Sequence, residues 1–206
     1  MVVDKDELVI AKALIESEFP RVYDWVIGDI RKCCRLKEDG SYKKGAGSLI
    51  GAFILWCCAV DYYGGLLTGV KKFHNWENKI VREDYSSRQR IKVFTEKYMY
   101  AYGNYDSNRV YDLRNSLVHN YTVKGYEDVE HDPDKKDSHL KKDKKGRYWM
   151  HLGTAISDLE LAVKDYMKDV ESEDVLKINA YEYYMIHPLL KPLNPQEVNF
   201  IENKEE

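Results

Sequence analysis

Residues 49–60 read LIGAFILWCCAV, an apolar run broken only by Gly51 and closed by Asp61. Twelve such residues fall short of the roughly 20 that span a bilayer, so the run predicts a buried helix rather than a membrane segment. The helical pattern extends over about Ser48 to Val70 and is apolar nearly all round before Asp61. A helix of that kind lies at the centre of a domain or at a subunit interface. Gly47 and Gly51 add a small-xxx-small spacing that lets a second helix approach closely. A carboxylate at the end of such a helix needs a cationic partner, since a lone buried charge is costly.

The remaining chain supplies helices to surround it. Asp4 and Glu7 form a capping-box pattern, with Leu8, Ala11, Leu14 and Ile15 on one face. Pro20 suits a first helical turn, and Val22, Trp25, Val26 and Ile30 follow at helical spacing as a separate element. Lys37 to Gly47 reads as a loop. Ser86 or Ser87 caps a helix with Ile91, Phe94, Tyr98 and Tyr102 on one face, ended by Gly103. Asp106 or Ser107 caps the next, through Val110, Leu113 and Leu117.

Tyr121 to Tyr126 and Arg147 to Leu152 read as two short strands joined by a charged segment, Glu127 to Gly146. A connection that long is mobile or functional rather than packed. Asp132 to Arg147 holds four aspartates and seven lysines or arginines, and its cationic excess suits an RNA backbone or simply a solvated loop. Helices over about Thr154 to Val170 and Asp174 to Ile186 follow. The expected organisation is one all-α domain over 1–190, with a β-hairpin and charged-loop insertion over 121–152 and a disordered acidic tail over 191–206.

With 206 residues, 44% hydrophobic and 33% charged, the chain can bury a substantial core under a well-solvated surface. A net charge of −3 argues against indiscriminate adhesion to nucleic acid but leaves room for a local basic patch. The opening MVVDKDELVIAK has acids where a signal peptide has a basic region, so the cytoplasm is the expected location. Cys33–Cys34 and Cys57–Cys58 lack C-x-x-C spacing and sit in apolar patterns, which predicts buried, reduced thiols. His131, His139 and His151 have no ligand spacing, and no phosphate-cradling glycine loop is present, so neither a metal nor a cofactor is expected.

The densest chemistry lies in Tyr111 to Tyr121, YDLRNSLVHNY. It groups a permanent cation, Arg114, with Asn115, with the proton-moving His119 and with Tyr121. Asn115 and His119 are i and i+4 neighbours, whereas Arg114 and His119 are about 140° apart on an unbroken helix. One copy converges poorly on one phosphate. A two-fold partner, or a helix that ends near Val118, would bring the groups together. A purely structural reading is also open: Arg114 pairing with Asp61, and His119 favoured by the helix dipole.

The segment resembles the R-x(4–6)-H signature of the HEPN superfamily, in its form with asparagine after the arginine and H-x-Y at the end. That resemblance implies an HEPN-like helical bundle acting as a homodimeric, metal-independent endoribonuclease with both motifs at the two-fold axis. Arg114 would bind the scissile phosphate, Asn115 would orient the phosphate or the histidine, and His119 would serve as general base or acid. In toxin–antitoxin members the tyrosine matching Tyr121 can be the residue that a partner nucleotidyltransferase modifies to silence the toxin. The alternative is a non-catalytic module using the same cleft to bind a nucleotide or a protein partner.

Overall fold

The computed structural model describes residues 5–37, 41, 43, 47–75, 77–124, 126, 128–130, 133–146 and 148–188. The Asp4 end of the first capping box, His131 and the 191–206 tail lie outside them.

The apolar run becomes α2, Leu49–Thr68, and the bundle is built round it. Ser48 caps its start by accepting from the Gly51 N–H, and Gly69, at φ 64°, ends it in a conformation few side chains tolerate. Asn179 Nδ2 donates to the Leu67 carbonyl at 3.0 Å, meeting one acceptor that the helix end leaves open. By length and composition α2 could cross a membrane, and 61% of its apolar window is buried inside the protein. Its neighbours are α1 (Lys5–Cys34), α3 (Ser87–Phe94), α5 (Ser107–Asn120), α6 (Leu152–Ser172) and α7 (Asp174–Ile186). The chain is therefore an all-α bundle. Trp56, fully buried at its centre, donates its indole N–H to the Ala155 carbonyl at 2.8 Å and ties α2 to α6.

The inner faces expected of the later helices hold. Ile91, Phe94, Val110, Leu113, Leu117, Ile156, Leu159, Val163 and Tyr166 are all fully buried. Ser86 caps α3 with a full capping box to Gln89, and Asp106 caps α5 by accepting from the N–H groups of Asn108 and Arg109. Beyond α3 the coil loosens into a π turn, Thr95–Met99, and ends with α4, Tyr100–Gly103.

Three expectations fail. Pro20 does not open a second helix; α1 runs straight through it, with Phe19 and Val22 buried on either side. The missing Pro20 N–H forfeits one backbone bond, which the surrounding apolar contacts outweigh. None of the described residues of Tyr121 to Tyr126 lies in a strand. Tyr121 takes the left-handed φ of 53° and caps α5, and the strand β3, Asp128–Glu130, comes later and pairs parallel with β4, Trp149–His151, so the expected pair of strands does not form a hairpin; an antiparallel bridge joins Lys142 to Tyr148 within the charged segment instead. The antiparallel hairpin lies elsewhere: β1, Val70–His74, and β2, Ile80–Asp84, in the link between α2 and α3.

The charged segment is also anchored where it is described. Leu140 packs on the core and donates its N–H to the Trp149 carbonyl at 2.8 Å. The His139 Nδ1 accepts from the His151 N–H at 3.0 Å, while its Nε2 lies 2.9 Å from the Tyr105 hydroxyl and 3.4 Å from Asp158. The Tyr105 hydroxyl donates to Asp158 at 2.9 Å. This buried cluster pins the segment to α6.

Among the cysteines, Cys34 and Cys57 are buried as expected, Cys33 is intermediate and Cys58 is exposed; none is bridged. Adjacent helical residues point about 100° apart, so a vicinal pair cannot send both side chains to the core.

Candidate functional site

Helix α5 carries Arg114, Asn115 and His119 without a break, since its last residue is Asn120. The early helix end at Val118 that would have swung His119 toward Arg114 does not occur. Arg114 sits on the border of the face that packs Val110 and Leu117 inward. Asn115 is half-buried, His119 is exposed, and Tyr121 is 76% exposed beyond them. Among the described residues His119 makes no hydrogen bond or ion pair, so both ring nitrogens are open to solvent or to a ligand.

Arg114 reaches two acceptors. Its Nη1 donates to Asn115 Oδ1 at 3.2 Å, and its Nη2 donates to Asp61 Oδ2 at 3.4 Å. Its Nε–H is shut off from solvent and has no acceptor among the described residues. The expected contact with the carboxylate of α2 is therefore present, but it is long for a charge-assisted bond, which is normally about 2.7–2.9 Å.

The reason is a residue that the sequence reading did not single out. Arg90, on α3, donates its Nε to Asp61 Oδ1 at 2.7 Å. The same guanidinium donates to the Tyr85 carbonyl at 2.8 Å and to Ser87 Oγ at 3.1 Å, and lies 3.8 Å from Asp84. Asp84 in turn holds His187 Nε2 at 2.6 Å. Asp61 and Arg90 are both largely buried, their side chains 8% and 13% exposed. Burial opposes the charge on Arg90, but the hydrogen bond to Asp61 and then the charge of that carboxylate together outweigh it and hold the guanidinium protonated above its ordinary range.

Two cations thus share one buried anion. Arg90 is the closer partner of Asp61, and Arg114 holds the same carboxylate loosely beside Asn115. The signal for Arg90 was present in the sequence as a helical arginine near an N-cap. Nothing local distinguishes it from Arg88, however, because only the fold shows which of the two turns toward α2.

A largely apolar groove of about 260 Å³ between α1 and α2 is lined by Trp25, Val26, Asp29, Leu55, Cys58, Ala59 and Tyr62. Trp25, expected on the inner face of its helix, is 51% exposed at the groove's rim.

Of the histidines considered together for a metal, His139 and His151 do meet, through a ring nitrogen and a backbone N–H rather than through two rings. Among the described residues no group of three or more histidine, cysteine or acidic side chains converges.

No family model matches the chain, and neither a curated protein nor a solved structure does.

Proposed function

We propose that the protein is an endoribonuclease of the HEPN type that acts in the cytoplasm as a homodimer, with Arg114, Asn115 and His119 as its working residues. The observation that carries this reading is the sharing of Asp61. If Arg114 existed only to neutralise that carboxylate, Arg90 would not already hold it at 2.7 Å. A half-buried arginine that holds Asp61 only loosely, at 3.4 Å, next to an asparagine and about a turn and a half from an exposed histidine, is suited to a phosphodiester.

Cleavage by internal transfer needs no group beyond these. The ribose 2′-oxygen forms a bond to phosphorus as His119 takes its proton, and the bond to the 5′-oxygen breaks. That oxygen leaves with a proton from a second histidine or from water, and a 2′,3′-cyclic phosphate remains. Arg114 stabilises the charge gathering on the non-bridging oxygens, and Asn115 fixes its guanidinium. Because α5 is unbroken, Arg114 and His119 of one chain diverge by about 140°. A two-fold arrangement that brings His119 of one copy to Arg114 of the other resolves this divergence. The exposure of Tyr121 at the helix end supports a regulatory role in which a silencing nucleotidyltransferase or another antitoxin partner acts on it.

The same divergence favours the second reading, a binding or dimerisation module without catalysis. The two separate in an RNase assay run with chelator present. Cleavage that leaves 2′,3′-cyclic phosphate ends and disappears in His119→Ala supports the nuclease. A folded dimer that binds RNA but never cuts it sinks the catalytic assignment.

A further inference from the structure

Among the arginines that lie over an aromatic ring, Arg88 differs from the rest. Arg90, 5.7 Å from the Tyr183 ring centre, is committed to Asp61, and Arg109, 3.8 Å from that of Tyr148, has Asp106 within 3.9 Å. The Arg88 guanidinium lies 4.9 Å from the Tyr111 ring centre and has no carboxylate partner among the described residues. It is exposed, so the guanidinium lies over the tyrosine and stays open to water. An exposed arginine without an anion normally samples many rotamers. This one lies over a half-buried ring.

Its position matters more than its contact. Tyr111 is one turn before Arg114 on α5 and is the i−4 neighbour of Asn115, so the three side chains lie within about 5–6 Å of one another at their Cβ atoms. Arg88 and Arg90 are two residues apart on α3 and so face different ways. Arg90 turns inward to Asp61, which also holds Arg114, and Arg88 turns outward over Tyr111. The seam between α3 and α5 thus carries an arginine–tyrosine pair one helical turn from the cation assigned to the phosphate.

We propose that the Arg88–Tyr111 stack is a base-binding subsite that holds an unpaired nucleobase of single-stranded RNA next to the phosphate gripped by Arg114. The proposal rests on the reading of Arg114 as an RNA-phosphate ligand. A base lies on the open plane of the Arg88 guanidinium, extending the stack to base, arginine and tyrosine, which needs a flipped-out or single-stranded nucleotide rather than a duplex. The substrate class is accordingly unpaired RNA, in a loop or a strand, with little discrimination among bases because every base offers a π face.

The test uses fluorescence anisotropy with a labelled, fully 2′-O-methylated single-stranded octanucleotide, which the 2′-transfer chemistry cannot cut. Binding is thereby read separately from cleavage. Arg88→Ala, a surface change, should leave the thermal melt unaltered and raise Kd by about fivefold to a hundredfold. Arg88→Lys should recover the salt dependence of binding but not the affinity, because it restores charge without a plane. Scanning an abasic nucleotide along the octamer should find one position whose loss weakens wild type and adds nothing to Arg88→Ala.

Wild-type affinity in Arg88→Ala, with binding lost in Arg114→Ala, overturns the subsite and leaves the phosphate assignment standing. Full rescue by Arg88→Lys overturns it too, since charge alone would then account for the effect. Absence of RNA binding by the wild-type protein overturns both.

Discussion

Arg90 holds Asp61 at 2.7 Å, 0.7 Å closer than Arg114 holds the other oxygen of the same carboxylate at 3.4 Å. That inequality assigns the structural work to Arg90. Arg90→Ala leaves a buried carboxylate with one distant partner and frees the Tyr85 carbonyl and Ser87 of theirs, so a loss of about 3–5 kcal/mol is expected. Arg114→Ala leaves the tighter pair intact and should cost about 1 kcal/mol. Urea denaturation of the two variants checks the order. Equal losses, or a larger one for Arg114→Ala, would make Arg114 a structural cation and remove the main support for its phosphate role.

The glycine pair at the end of α2 sets the geometry of that carboxylate. A Cβ on Gly64 would overlap the Arg90 backbone carbonyl, and one on Gly65 would overlap the Tyr183 ring. Backbone cannot step aside as a flexible side chain can, so Gly64→Ala must push α3 off α2 and carry Arg90 away from Asp61. A destabilisation of about 2–4 kcal/mol is expected, larger than for alanine at Gly28, where a Cβ would meet nothing within 4 Å. Paired thermal melts of Gly64→Ala and Gly28→Ala decide it, and similar Tm values would show that α3 tolerates the displacement.

How much of this was legible in the sequence depends on the range of the interaction. Helix caps at Ser86 and Asp106 and the inner stripe through Ile156, Leu159, Val163 and Tyr166 are local and periodic, and they fall where the pattern puts them. The Arg114–Asp61 contact was readable as well, because a lone acid on an apolar helix demands a cation. Arg90 was not, since its role depends on how α3 crosses α2. The β1–β2 hairpin was hidden for a different reason. In VKKFH and IVRED charged residues dilute the apolar alternation, and the turn is made by Asn75, whose Oδ1 accepts from the Glu77 and Lys79 N–H groups, and by Asn78 at φ 58°, instead of by a two-residue glycine turn. Parallel pairing of β3 with β4 joins segments about twenty residues apart, and three-residue strands carry too little periodicity to reveal it.

Pro20 offers a stabilising substitution. It is exposed inside the 30-residue α1, where it removes one backbone donor and crowds the preceding turn. Pro20→Ala restores the donor toward the Glu16 carbonyl but also loosens the unfolded chain, which offsets part of the gain. A net increase of about 1–2 kcal/mol is expected, visible as a higher urea midpoint with an unchanged slope. A lower midpoint would mean that α1 depends on a bend at Pro20.

The buried tyrosines make the fold sensitive to alkali. Burial pushes the hydroxyls of Tyr63, Tyr126 and Tyr166 far above the ordinary value near 10. Burial does the same at Tyr98 and Tyr105, where the carboxylates of Asp169 and Asp158 add to it, and Tyr183 is pushed up to about 12. Folded tyrosines therefore keep protons that unfolded ones release near pH 10. Below that pH both states are protonated and the contribution is constant. Above it the unfolded chain binds fewer protons than the folded one, so stability falls as pH rises, and steeply, because several groups act together. Absorbance at 295 nm and far-UV circular dichroism, followed through an alkaline titration, should show tyrosinate appearing together with loss of helix in one cooperative step above pH 10. A gradual tyrosine titration centred near 10 with the helices intact would show that these hydroxyls reach water in the folded protein.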